Sequence, residues 1–451
     1  MPASHTNRRE FLKTGLAATV TAAGARAAFA KPTDLGPNEK FVIGMVGTGG
    51  RGTWLLREVF ANRKDVEIAY LCDVDEKRLA GGVKAVVDAG RPAPKTVVDY
   101  RNILDDKSVD ILVNATPDHW HVLPSLHACQ AGKDVYVEKP ASHNIWEGRK
   151  LVEAARKYKR IVQLGTQTRS GPYTIAAREF LASGGIGDIH FARVLNMKRR
   201  EPMKPQPDSD VPEGVDYDRW LGAAPDRRFN PNRFHYNWHW FWDYSGGDII
   251  NDGVHQIDAA RYLIGKDYPN AVWCSGAKVP KDNIADSPDT QVVSWEFDDI
   301  IMTFELSLWT PHMQKTPWDF RDTDGFPNWQ TSATQVEIHG TKGLMKFSRH
   351  GGGWQAWNPD GKEIANHPGR HPHPPHVDNF FECIKTRKKP NAEIEEGHLS
   401  TNLCHLGNIS HRVGGRKLVY DGKTETFPGD NEANALLKRE YRTAYAVPEN
   451  V

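Results

Sequence analysis

Gly47, Gly49 and Gly52 stand at the spacing G-x-G-x-x-G, directly after the apolar run FVIGMV and directly before a helix-compatible segment, residues 53–61. In the order strand, turn, helix each glycine has its own task. Gly47 permits the tight turn, Gly49 lets backbone approach a pyrophosphate, and Gly52 lets helix and strand pack closely. The free N–H groups and positive dipole end of the helix then favour phosphate. A second apolar run, residues 66–71, leads to Asp73, about 20 residues past the last glycine, where an acid binds a ribose hydroxyl. A carboxylate there favours NAD and disfavours the 2′-phosphate of NADP, although Lys77 and Arg78 stand close by.

Other residues with chemical capacity fall at the ends of later apolar runs. These are Asp118-His119-Trp120-His121, Glu138-Lys139-Pro140 and Gly165-Thr166-Gln167. With Arg51 in the glycine turn and Thr116 at a strand end, they define a cofactor-binding set: Arg51, Asp73, Thr116, His119, Glu138, Lys139 and Gln167. Downstream, Asn251, His255, Asp258 and Tyr262 follow helical spacing, on a different face from Val254, Ile257, Arg261 and Ile264. Histidine suits proton transfer because its unperturbed pKa is close to neutral. In FHYNWHWFWDY, residues 234–244, Trp238, Trp240 and Trp242 alternate as on one face of an extended segment, and Trp240 is taken as a sugar-stacking residue. Arg169 is expected to reach the substrate. His371, His373 and His376 match no strong zinc spacing, and the intervening prolines hold them extended, so no metal site is expected.

The elements that must carry these groups are legible in outline. Short apolar runs such as ILVNAT (111–116) alternate with helical stretches over residues 75–89, 119–131 and 145–158, which implies right-handed βαβ units and a doubly wound parallel sheet. Ligands in such sheets lie at the carboxyl ends of the strands. In the second half, residues 300–308 alternate apolar with more polar positions, and residues 336–338 and 344–347 read as a hairpin-like pair. The expected domains are 31–165, a Rossmann domain, and 166–430, a substrate domain, with a C-terminal tail over 431–451.

The first 30 residues contain Arg8-Arg9 followed by Phe11-Leu12, an Ala-rich run and Ala28-Phe29-Ala30, the pattern of a twin-arginine export signal. A periplasmic or exported protein is expected. The whole chain has net charge +1, and residues 1–30 carry +3, so the remainder lies near −2. That balance gives no reason to expect nucleic acid or an anionic membrane as partner. The five cysteines are odd in number and two sit in core-like segments, which points to buried thiols.

GTGGRG, ATPDHWH, VEKP and GGDIINDGVHQID together resemble the glucose–fructose oxidoreductase/inositol dehydrogenase (Gfo/Idh/MocA) family over about residues 40 to 415. The resemblance implies a Rossmann domain followed by a domain with a large open, mainly antiparallel sheet, whose far face commonly supports homo-oligomers. It implies that Lys139 lies between nicotinamide and the substrate hydroxyl, that Glu138 orients it, and that Pro140 follows a cis bond. His255 takes the place of a general acid/base. One position departs from the inositol dehydrogenases, which carry an acid four residues before the histidine. Here that residue is Asn251, with Asp252 about 100° further round a helix. Asparagine binds a hydroxyl but cannot accept its proton, so Asn251 and Asp252 are substrate-binding candidates and a different sugar or a different outcome is expected. Three functions remain open: a redox-balanced oxidoreductase acting on a sugar or polyol, a glycoside hydrolase using transient oxidation and elimination, and a sugar-binding protein with a retained cofactor.

Overall fold

The computed structural model describes residues 40–349 and 351–451; the expected export signal lies outside them. Six parallel strands form the first sheet: β1 (Phe41–Val46), β2 (Val66–Cys72), β3 (Lys95–Val97), β4 (Ile111–Asn114), β5 (Asp134–Val137) and β6 (Val162–Leu164). Their order is 3-2-1-4-5-6, so the chain reverses direction across the sheet between β1 and β4. Every residue of β4 and β5 is buried, as expected of strands covered on both faces by helices. The reversal opens the crevice in which such sheets hold ligands.

The second sheet has nine strands: β7 (Ile189–Met197), β8 (Ala271–Ala277), β9 (Thr290–Glu296), β10 (Ile301–Ser307), β11 (Gln335–Gly340), β12 (Gly343–Ser348), β13 (Trp354–Trp357), β14 (Glu363–His367) and β15 (Leu418–Val419). Their order is 14-13-12-11-7-10-9-8-15, and only β7 and β10 run parallel. Met302, Phe304 and Leu306 of β10 turn into the core, while Ile301, Thr303, Glu305 and Ser307 face the other way. The inner face packs against the helices Val254–Ile264 and Ile394–Arg412. The outer face leaves Trp273, Val292, Ile301 and Val419 exposed.

Two later segments return to the first sheet. The helix His373–Thr386 sets Phe381 against Phe41, with ring centroids 4.9 Å apart, and Phe380 against Tyr136. The C-terminal residues lie over the first domain: Arg439 donates to Glu147 at 2.7 Å and to the carbonyl of His119 at 3.0 Å. All five cysteines are buried free thiols. Among the described residues no helix is long and apolar enough to cross a membrane.

Candidate active site

The glycine turn has the geometry its spacing implies. Gly47 has φ +87°, and a Cβ there would lie 2.7 Å from the backbone of Ala115 and Thr116. A Cβ on Gly52 would lie 1.9 Å from the carbonyl oxygen of Gly47. A Cβ on Gly49 would meet nothing within 4 Å, so the turn is tight behind and open in front. The helix that follows has no side-chain cap at its start, which leaves its first N–H groups available. Asp73 stands just past β2, where its Oδ2 accepts the N–H of Thr48 at 2.7 Å and its Oδ1 accepts that of Asp75 at 3.1 Å. Burial raises its pKa against these hydrogen bonds. Open cradle, uncapped helix and fixed acid together fit a dinucleotide.

Beyond the turn runs a cleft of about 810 Å³. The first domain lines it with Gly47, Gly49, Arg51, Asp73, Thr116, Glu138, Lys139 and Gln167; the second lines it with Asn251, Asp252 and His255. Lys139 Nζ donates to the backbone carbonyl of Asn251 at 2.7 Å, and the Lys139–Pro140 bond is cis. Glu138 accepts from Arg51 Nε at 2.8 Å and packs on Gly165, where a Cβ would come within 2.8 Å of its carboxylate. Arg51 also meets His373 Nε2 at 3.0 Å, so the glycine turn, β5 and the late helix are fastened together. The His255 ring makes no hydrogen bond among the described residues. Burial, then the charges of Arg349 and Lys139, hold its pKa well below the usual imidazole value, so the ring is neutral and its nitrogen lone pair is uncommitted.

The regular 100° step expected between Asn251 and Asp252 does not apply, because Ile249–Gly253 forms a π turn ahead of the α-helix. The Asp252 carboxylate still does not stand free. It is paired with Lys198, Lys315 and, at 2.6 Å, Arg349. Although burial pushes its pKa up, Arg349, Lys198 and Lys315 hold it well below the carboxylate range. Burial brings the Lys315 amine down to about 8, with Lys198 and Arg349 adding to the fall.

Three expected site residues lie elsewhere. His119 is buried beneath Trp220, its Nε2 at 2.9 Å from the Trp220 carbonyl, because the 3-10 turn Asp118–Trp120 swings its ring away while Asp118, Trp120 and His121 line the cleft. Arg169 is sealed against Asp258 at 2.8 Å, with Glu396 on its far side, and does not reach the cleft. Trp240 faces a small side cavity, because His235–Trp240 is a 3-10 helix and not an extended segment. With three residues per turn the alternating tryptophans do not share a face, and the main cleft receives Tyr236 and Trp238. The sequence reading missed Lys198, Lys315, Trp318, Arg321 and Arg349. Their one sequence signal is weak: Arg349 directly follows the alternating strand β12.

Comparison with known proteins agrees with this construction. Residues 41–166 match the oxidoreductase family's NAD-binding Rossmann fold, and residues 197–302 and 348–447 match the same family's C-terminal alpha/beta domain. The chain belongs to the Gfo/Idh/MocA oxidoreductase family. It is 31% identical to an inositol 2-dehydrogenase of Rubrobacter xylanophilus over 51% of this chain and 54% of that protein. It is 28% identical to a glycosyl hydrolase family 109 protein of Stenotrophomonas maltophilia over 47% and 49%. The chain spans about half to two thirds of the length of the curated relatives it matches. An aldose-aldose oxidoreductase from Caulobacter crescentus, solved with glycerol, shares the fold with a TM-score of 0.63 at 17% identity, covering 84% of this chain and all of that one.

Proposed function

We propose that this oxidoreductase acts on a hydroxyl of a sugar or cyclic polyol, with NAD held across the glycine turn by Gly49, Arg51, Asp73 and Thr116. The observation that carries the reading is the meeting of Lys139 and a neutral, unbonded His255 in one cleft, with Lys139 Nζ tied to the helix segment that bears His255. When bound, NAD supplies a ring that accepts hydride from the carbinol carbon. Lys139 spends one donor on Asn251 and keeps others for the substrate oxygen. His255 is placed to take the hydroxyl proton. Likeness to inositol 2-dehydrogenase and to an aldose-aldose oxidoreductase supports a carbohydrate substrate.

The Arg8-Arg9 segment supports export to the periplasm with the cofactor already bound, and so a cycle in which one sugar is oxidised and another carbonyl reduced. The apolar residues on the outer face of the second sheet support a homo-oligomer. A second reading, glycoside cleavage through transient oxidation, is supported by likeness to a glycosyl hydrolase family 109 protein. The test is to purify the protein, identify its bound nucleotide, and follow the reduced-nicotinamide absorbance with a panel of sugars and glycosides. Net reduction or sugar-to-sugar exchange supports the first reading. Release of an aglycone at constant redox state supports the second, and the absence of reduction, exchange and aglycone release alike would overturn both.

A further inference from the structure

The second domain's share of the cleft is strongly and unevenly charged. Arg200, Lys315, Arg321 and Arg349 line it beside Asp252, and Lys198 and Asp248 are buried behind them in the same ion-pair cluster. Both carboxylates are already engaged. Asp252 is held by Lys198, Lys315 and Arg349; Asp248 lies 2.5 Å from Lys198 and 3.4 Å from Arg200. Five cations against two carboxylates leave an excess of positive charge in a chain that is otherwise near neutral.

Arg321 shows where the excess lies. It is 7% exposed, its Nε donates to the carbonyl of Thr316 at 2.9 Å, and its guanidinium lies 3.9 Å over the ring of Trp318. It has no carboxylate within ion-pair distance among the described residues. The neighbouring Asp322 is exposed and accepts the backbone N–H of His371. Burial, with Arg349 adding, brings the Arg321 pKa down to about 10, although Asp252 and Asp322 oppose the fall from beyond ion-pair distance. Arg349 commits only Nη1, to Asp252 and Gln256, and keeps the rest of its fork. A buried cation without an anion is costly unless a ligand supplies the charge, and a guanidinium fork matches a planar carboxylate or a phosphate.

We propose that the substrate carries an anionic group, a carboxylate or a phosphate, which Arg321 and Arg349 receive while its sugar ring lies beside His255. This rests on the reading of the cleft as a carbohydrate site, and it adds the charge of the substrate.

The test is calorimetric titration of the NAD-loaded protein with D-glucuronate, D-glucose 6-phosphate and D-glucose. At least one charged sugar is expected to bind about 10- to 100-fold more tightly than glucose, with the advantage shrinking as salt rises. Whichever charged sugar binds identifies carboxylate or phosphate as the group. Arg321→Gln should remove most of the advantage and Arg321→Lys should restore part of it, while circular dichroism confirms folding. Equal affinity for all three sugars, failure of both charged sugars to bind, or an unchanged advantage in a folded Arg321→Gln would overturn the proposal. Because binding is the readout, failure of the redox reading stays separable: tight binding of the acid without any change in nicotinamide absorbance refutes turnover of that sugar and leaves the anion site standing.

Discussion

Lys139 and Asn251 are 112 residues apart, yet the amine of one donates to the backbone carbonyl of the other at 2.7 Å. That single bond joins the carboxyl edge of the parallel sheet to the π turn that starts the His255 helix. It sets the lysine chiefly by backbone, and the Asn251 side chain is itself held, its Nδ2 donating to Asp248 at 3.2 Å and its Oδ1 3.5 Å from Lys139 Nζ. Lys139→Ala should therefore lower turnover about 10²- to 10⁴-fold while NAD stays bound, because the glycine turn and Asp73 are untouched. Steady-state rates alongside nucleotide content of the purified variant check this. Near-normal turnover would remove Lys139 from the chemistry.

The glycine turn separates two effects that a motif alone cannot. Gly52→Ala pushes a methyl against the Gly47 carbonyl at 1.9 Å and should destabilise the fold by about 3 kcal/mol. Gly49→Ala enters open space at an ordinary φ of −66°, so stability should hold within about 0.5 kcal/mol while NAD affinity falls. Denaturant midpoints and nucleotide titration of the two variants should show these opposite patterns.

Asp73→Ala removes the acid at the end of β2. NAD should weaken relative to NADP by about tenfold or more, since a repulsive charge and a ribose acceptor disappear together. Titration with both nucleotides measures the ratio, and an unchanged ratio would place the ribose contact elsewhere.

What the sequence made legible followed from local physics. Parallel strands covered on both faces are continuous apolar runs, so β4 and β5 stand out, and the glycines, Asp73 and Glu138-Lys139 sit at fixed offsets from them. His119 and Trp240 were misplaced because 3-10 turns rotate each residue by about 120°, a change that composition does not announce. Lys315 and Arg321 lie in an irregular segment between β10 and β11, and their neighbours in space are distant in the chain. Nothing periodic could mark them. The burial of Arg169 depended on Asp258 and Glu396, which only the folded chain brings to it.

Acid should destabilise this protein through its histidines. Burial lowers His119, His239 and His376 to about 3, so all three are neutral in the folded chain at pH 5 and largely protonated in the unfolded one. The unfolded state then binds more protons, and stability falls as pH drops from about 6.5 toward 3, by about 1.4 kcal/mol per pH unit for each ring. Urea midpoints at pH 7, 6 and 5 should decline steadily. A midpoint that is flat over that range would show that these rings are not held neutral.

Arg169 offers a test of position against chemistry. Its guanidinium is 2% exposed and lies 2.8 Å from Asp258, which is itself fully buried and also accepts from Ser400 at 2.6 Å. Arg169→Met keeps much of the volume but strands the Asp258 charge in the core, which should cost about 3–5 kcal/mol. Because the pair is walled off from the cleft, KM of the surviving folded fraction should stay near that of the native protein. A raised KM at unchanged stability would mean that Arg169 reaches substrate after all. Replacing Arg169 and Asp258 together with apolar residues should recover stability relative to Arg169→Met, since no unpaired charge is then left inside. Recovery of that kind would mark the pair as a structural tie between the turn after β6 and the His255 helix, holding the histidine at the depth where Lys139 meets Asn251.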